Sequence, residues 1–113
     1  MIRPVKVAQV TAADITAKKL LLPLIDRLTA EGYQIHIVCS LGRYVPELQD
    51  QGYIVHSITI ERRVNLISNF RSLWRLYRLM RKEQFDIVHV HTPVAAALGR
   101  MAAWAARVPI VIY

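Results

Sequence analysis

Two polar segments, Thr11–Thr16 and His91-Thr92-Pro93, hold the side chains best placed for chemistry in this chain. Each follows a run of apolar residues that is typical of a buried strand. Thr92 suits the N-cap of a helix, and Pro93 suits its first position, where the missing N–H costs nothing. The first turn of such a helix has free N–H groups and a partial positive charge, so the pattern predicts a place for a phosphate.

Histidines are the second group of residues that could take part in chemistry. His89 and His91 are two residues apart in one predicted strand, so their side chains point to the same face. This spacing could suit a metal, but no Cys or carboxylate pair accompanies it, and we predict neither a metal nor a cofactor. We interpret His89 as a buried histidine bonded to a carbonyl, and His36 and His56 as structural. For His91, at the end of its strand, a structural and a functional role both remain open.

A basic segment is the third candidate. Residues 61–82 contain seven Lys and Arg against the single acid Glu61, in a chain of net charge +7. Arg71, Arg75, Arg78 and Lys82 recur at i, i+4, i+7 and i+11, which forms one cationic stripe on a helix. An apolar stripe adjoins it and comprises Phe70, Leu73, Trp74, Leu76, Tyr77, Leu79 and Met80.

This helix is open to two interpretations. An ordinary surface helix would bury its apolar face and expose its charges to water. However, no acidic residue interrupts the cationic row, so i,i+4 ion pairs do not account for it. A basic amphipathic helix bordered by Trp and Tyr also suits an anionic membrane surface or a phosphate-bearing ligand. Nucleic acid is not the partner we predict, because no nucleic-acid-binding module accompanies the charge.

Composition and missing motifs exclude several classes. With 113 residues, 54% of them apolar, the chain fits one domain with its own core. The single Cys39 excludes an internal disulfide framework and fits a reducing compartment. The sequence has no dinucleotide-binding Gly-x-Gly-x-x-Gly, no P-loop, no Asp-x-Asp pair and no nucleophile elbow. The N-terminus lacks the apolar segment of a secretion signal.

The elements that must position these side chains are strands alternating with helices. Strands are predicted at Val5–Val10, Gln34–Ser40, Tyr53–Ile60, Asp86–His91 and Pro109–Tyr113. Helices are predicted from Thr16 to about Glu31, at Val45–Gln51, at Ser68–Glu83 and from Pro93 to about Arg107. Pro23 should kink the first helix or restart it, and Gly32 should end it in a left-handed conformation.

This alternation predicts the fold class: α/β, a Rossmann-like doubly wound parallel sheet of five strands in the order 3-2-1-4-5. Ligands of such sheets bind beyond the carboxyl ends of the strands, where the strand order reverses. That point lies between strands 1 and 4. The two polar segments should therefore face one crevice.

The chain resembles the N-terminal domain of bacterial family 4 glycosyltransferases, which have the two-domain GT-B architecture. The resemblance rests mainly on Phe85-Asp-Ile-Val-His-Val-His-Thr-Pro-Val94. Lys6-Val-Ala-Gln-Val10, Lys18-Lys-Leu-Leu-Leu-Pro-Leu24, Leu98-Gly-Arg-Met-Ala-Ala103 and Val108-Pro-Ile-Val-Ile112 extend it along the chain. It implies transfer of a sugar from a nucleotide-sugar donor to a lipid-linked or glycan acceptor in polysaccharide synthesis, in the cytoplasm and at the inner membrane face.

The resemblance also implies site residues. It gives Asp14, Thr16 and Lys18 contacts with donor phosphates or acceptor, and it places His91 and Thr92 beside the acceptor. The active-site histidine of the family falls beyond Tyr113, so no catalytic residue is assigned here.

We expect residues 1–113 to form the acceptor-side domain, with the donor domain outside them, and to be inactive alone. The alternatives are a non-catalytic subunit of a split two-chain glycosyltransferase and an unrelated flavodoxin-like regulatory domain. The latter would place an acidic cluster at the strand ends, where only Asp14 lies.

Overall fold

A computed structural model describes residues 4–60 and 66–113 and confirms the predicted sheet. In these residues five parallel strands pair in the order β3-β2-β1-β4-β5. The strands are β1 (Lys6–Val10), β2 (Gln34–Cys39), β3 (Ile54–Ser57), β4 (Ile87–Val90) and β5 (Ile110–Ile112). Arg62 and Arg63 of the basic segment lie outside the described residues. No helix in the described part is both long and apolar enough to cross a membrane.

The helices follow the predicted order, with an irregularity before Pro23. They are α1 (Asp14–Thr16), a π-helical turn (Ala17–Leu21), α2 (Leu22–Ala30), α3 (Val45–Asp50), α4 (Leu66–Glu83) and α5 (Pro93–Ala105). Pro23 stands in the first turn of α2, where its missing N–H is tolerated. The predicted restart is therefore confirmed.

Three predicted boundaries are wrong by a few residues. The loop after β1 ends earlier than Thr16, because the chain is already helical at Asp14. The third strand ends at Ser57 rather than Ile60: Ile60 N–H bonds to the Ser40 side chain at 2.8 Å instead of continuing the ladder. The fourth helix begins at Leu66, two residues before Ser68.

Each face of the sheet has its own core. Ile25, Ile37 and Leu48 belong to the core beneath α2 and α3. The opposite core, beneath α4 and α5, includes Leu76 and Val88. Helices on both faces leave the carboxyl ends of β1 and β4 as the open edge between the two layers.

Close approach of α5 to the sheet depends on Gly99. A Cβ atom on Gly99 would lie 2.5 Å from Val90 Cγ1, so any side chain would force either Val90 or α5 to move. Gly99 thereby helps to fix the position of the first turn of α5, which borders the crevice.

Candidate functional site

The predicted crevice lies at the carboxyl ends of β1 and β4. Val10 pairs with Val90, and the N–H of His91 donates to the Val10 carbonyl at 2.8 Å. Thr11 and His91 therefore leave adjacent strands at the same level. The structure brings the two polar segments together as the strand order predicts.

Gln9 is the cleft residue that sequence reasoning missed. It is 1% exposed, and its Oε1 lies 2.7 Å from Nε2 of His91. With the amide oxygen as acceptor, His91 carries its hydrogen on Nε2 and leaves Nδ1 unprotonated. The only signal in the sequence was an amide placed between Ala8 and Val10 in an otherwise apolar run.

His91 is held in its neutral form. Burial lowers its pKa to about 4, and the neighbouring His89 ring contributes to the shift. The two ring centroids are 4.1 Å apart. Near neutral pH the site therefore presents an uncharged imidazole that can accept a hydrogen bond.

Three buried polar atoms at the strand ends have no hydrogen-bond partner among residues 4–60 and 66–113. They are Nε2 of Gln9, Oγ1 of Thr11 and Oγ1 of Thr92. An unsatisfied buried donor or acceptor costs about 1–3 kcal/mol, so such groups are rare in native structures and call for a functional explanation. Their concentration beside the crevice is typical of a site that binds a polar ligand.

Thr92 departs from the predicted cap. It occupies the N-cap position and Pro93 begins the helix, but the Thr92 side chain makes no capping bond. Its backbone has φ 69° and ψ 149°, close to a region that is almost confined to glycine. Thr92 thus occupies the predicted N-cap position, but its side chain does not cap α5 and its hydroxyl has no partner among the described residues. A strained β-branched residue at a strand end is a frequent mark of a functional site.

The residues implied after β1 have protein partners. Oδ2 of Asp14 accepts the N–H of Tyr44 at 2.8 Å. Lys18 Nζ is 2.8 Å from Glu47 Oε2 and 4.3 Å from the centroid of the Tyr44 ring. Thr16 is half-buried and makes no side-chain hydrogen bond within the described residues. Asp14 and Lys18 thus fasten the start of the helical segment to the β2–α3 loop and to α3.

A second surface is formed by α4 and α5. Its cationic stripe, Arg71, Arg75, Arg78 and Lys82, is exposed and has no acidic partner within residues 4–60 and 66–113. Its exposed apolar side chains include Phe70, Trp74, Met101 and Trp104. A groove of about 980 Å³ runs between the two helices and is lined by these four residues, among others.

The prediction of which residues form the buried apolar face of α4 is therefore partly wrong. Phe70 is 72% exposed and Trp74 is 54% exposed, so neither packs on the sheet. The buried stripe is narrower and runs through Ser72, Leu76 and Met80. Because the helix can turn only one stripe toward the sheet, the remaining aromatic side chains face the groove.

Comparison with known proteins decides the family. The family model described as "Glycosyl transferase 4-like" matches residues 6–113. The chain belongs to this family. The chain is also 32% identical over 112 residues to the UDP-Gal:alpha-D-GlcNAc-diphosphoundecaprenol alpha-1,3-galactosyltransferase of Escherichia coli. It is 34% identical over 89 residues to the capsular polysaccharide biosynthesis glycosyltransferase CapM of Staphylococcus aureus.

This glycosyl transferase 4-like chain corresponds to a minor part of each relative. The E. coli match covers 96% of the chain but 29% of the relative, and the S. aureus match covers 79% and 23%. Among solved structures, MurG of Acinetobacter baumannii superposes with a TM-score of 0.76 at 21% identity, over 96% of this chain and 35% of MurG. The fold is that of one domain of a GT-B glycosyltransferase.

Proposed function

We propose that the chain forms the acceptor-side wall of a glycosyltransferase cleft. In this proposal a sugar passes from a nucleotide-sugar donor to a lipid-linked or glycan acceptor in bacterial polysaccharide synthesis. The name of the E. coli relative specifies a UDP-sugar donor and a diphosphoundecaprenol-linked acceptor, which supports these classes. The observation that carries the proposal is the group of buried polar atoms on Gln9, Thr11 and Thr92 at the strand ends, which have no partner in the part of the chain that the structure describes.

These residues suit an acceptor that bears both sugar and phosphate. The unprotonated Nδ1 of the half-buried His91 can accept a hydrogen bond from a sugar hydroxyl, while the buried amide of Gln9 fixes the tautomer of that ring. The first turn of α5 supplies N–H groups and a partial positive charge for a phosphate. Such contacts orient the acceptor, and orientation can supply a large part of a rate enhancement. We propose that donor binding and turnover need a further domain, since the relatives are about three times as long.

Acceptor binding tests the proposal directly. GlcNAc-diphosphoundecaprenol in detergent micelles is the probe, and undecaprenol without diphosphate or sugar is the matched control. We expect saturable binding of the probe, weakened about tenfold by Thr11→Val, which removes one hydroxyl and keeps the shape of the side chain. Thr29→Val is the control variant, because Thr29 lies near the C-terminal end of α2, away from the carboxyl ends of the strands, and its hydroxyl donates to the Ile25 carbonyl. Equal binding of probe and undecaprenol, or no effect of Thr11→Val, would contradict the proposal.

Turnover is tested separately. The 113 residues are incubated with UDP-sugars and the same acceptor, and we expect no sustained transfer. Multiple turnovers by this chain alone would refute the part of the proposal that assigns catalysis to a cleft between two domains.

We further propose that the α4–α5 surface contacts an anionic membrane. Support comes from the stripe of Arg71, Arg75, Arg78 and Lys82, which has no acidic partner among the described residues and lies beside exposed aromatic side chains. Trp104, 83% exposed, is the most prominent of them. Basic residues attract anionic headgroups, while Trp and Phe enter the interface between headgroups and acyl chains.

Co-sedimentation with vesicles tests this surface. Each Lys or Arg near an anionic bilayer contributes about 1 kcal/mol, so Arg71→Gln with Arg75→Gln should weaken binding roughly thirtyfold. Lys19→Gln with Arg43→Gln removes the same charge from exposed positions outside α4 and α5 and should have a much smaller effect. Replacing all four stripe residues with Glu should abolish binding. Equal binding by wild type and that variant would refute membrane contact through α4.

A further inference from the structure

Three potential metal ligands meet on the α4 side of the sheet, away from the crevice. His36 lies in β2, His56 in β3, and Glu83 is the last residue of α4. The Nδ1 of His36 is 2.8 Å from the Nε2 of His56, and the two rings stack with centroids 5.1 Å apart. Oε1 of Glu83 lies 3.9 Å from the same Nδ1. The three donor atoms all fall within 4.8 Å of one another.

We propose that His36, His56 and Glu83 bind a divalent transition-metal ion, with Zn²⁺ as the best match. Two imidazole nitrogens and one carboxylate oxygen are a ligand set that Zn²⁺ accepts, with a fourth position left for water. Ligand bonds of 2.0–2.2 Å in a tetrahedral site place the donor atoms about 3.3 Å apart. Two of the observed separations, 2.8 and 3.9 Å, bracket that value and the third is within 4.8 Å, so side-chain movements of up to about 1.5 Å would complete the site.

The cluster is already in the protonation state that a metal requires. Burial lowers the pKa of His36 and of His56, so both imidazoles are neutral near pH 7. Burial acts to raise the pKa of Glu83, but hydrogen bonding and charge attraction from Lys6 lower it overall. One of the two rings donates the hydrogen of the His36–His56 bond, and on metal binding this ring changes tautomer, so that its hydrogen moves to its other nitrogen. The metal ion then takes the place of the hydrogen between the rings, and no proton is released to solvent.

Lys6 is the competing cation. Its Nζ lies 3.3 Å from Oε1 of Glu83 and donates to the Glu83 main-chain carbonyl at 2.6 Å. Metal binding would displace Lys6 from the Glu83 carboxylate. The hydrogen bond from Lys6 to the Glu83 main-chain carbonyl could remain intact. The ion would thereby tie β2, β3 and the end of α4 together, so its expected effect is to stabilise the fold rather than to take part in transfer.

Titration of the tag-free, chelator-treated chain tests the site. ZnCl₂ is followed by calorimetry and CoCl₂ by its visible absorption. We expect one ion per chain, a higher melting temperature with Zn²⁺, and at least tenfold weaker binding in His56→Gln and in Glu83→Gln. His89→Gln is the matched control, because it removes a half-buried strand histidine from the other face and should bind Zn²⁺ like wild type.

Weaker binding in a ligand variant could also result from misfolding, so a variant that should bind Zn²⁺ more tightly is a second test. Lys6→Met removes the competing cation and should bind Zn²⁺ several-fold more tightly, whereas a purely structural cluster would show no metal affinity in either form. The proposal is overturned if wild type shows no saturable binding, or if Lys6→Met leaves the affinity unchanged. It is overturned equally if His89→Gln, rather than His56→Gln, abolishes binding.

Discussion

Replacement of Thr92 tests whether strain is stored at the crevice. At φ 69° and ψ 149° a side chain with a Cβ costs on the order of 1–3 kcal/mol, which glycine avoids. Glycine also makes the unfolded chain more flexible, at a cost of about 0.4–1 kcal/mol. Thr92→Gly should therefore be more stable than Thr92→Ala by about 1 kcal/mol, or about 4 °C in melting temperature for a domain of this size.

The alanine variant separates strain from the buried hydroxyl. Thr92→Ala keeps the Cβ but removes the unpaired Oγ1 together with the Cγ2 methyl group, so its difference from Thr92→Gly reports on strain and its difference from wild type reports on the two lost groups. Thermal and urea unfolding followed by circular dichroism measure all three proteins. Both variants should bind the acceptor probe less tightly than wild type, since both lack Oγ1. If Thr92→Gly is no more stable than Thr92→Ala, the inference of strain is refuted.

Three further predictions concern stability. Gly99→Ala should lower the free energy of unfolding by about 1–3 kcal/mol, because its Cβ would meet Val90, and an unchanged urea midpoint would contradict this close packing. Gly52→Ala meets no atom within 4 Å but has φ 96°, so a smaller loss of about 1 kcal/mol is expected from backbone strain alone. The pKa of His91 falls from 6.5 to about 4, mainly through burial. The unfolded chain therefore binds more protons between these values, and the stabilisation present above pH 6.5 is lost as the pH falls toward 4. His91→Gln should flatten this dependence in pH-dependent melting curves, and an unchanged slope would disprove the assignment.

The sheet order could be predicted because the pattern of strands and helices and the handedness of crossovers leave few topologies. The same rule placed His91 and Thr92 at the crevice by position alone. Gln9 was not predictable, because its importance comes from the pairing of β1 with β4, which sets its amide beside His91. The φ angle of Thr92 was hidden for a related reason: Thr-Pro is a good helix start by composition, and the local sequence gives no sign of strain.

The exposure of Trp74 could not be predicted from the sequence either. Helical periodicity identifies an apolar arc on α4 but does not specify how the helix is rotated against the sheet. The packing of Leu76 beneath it selects one rotation, and Trp74 is then left exposed. The same rotation puts the cationic stripe and the aromatic side chains on one surface, a combination that the sequence offered only as one of two interpretations.

Helix α5 connects the two proposed surfaces. Its first turn begins at Pro93, beside the unpaired hydroxyl of Thr92, while Trp104 near its other end lines the groove. Thirteen residues at 1.5 Å per residue make the helix about 20 Å long. Because Gly99 packs the middle of α5 tightly on β4, this distance is fixed. A lipid-linked acceptor whose phosphate lies at the first turn would therefore have that phosphate within about 20 Å of the groove, which relates acceptor binding to membrane contact through one rigid element.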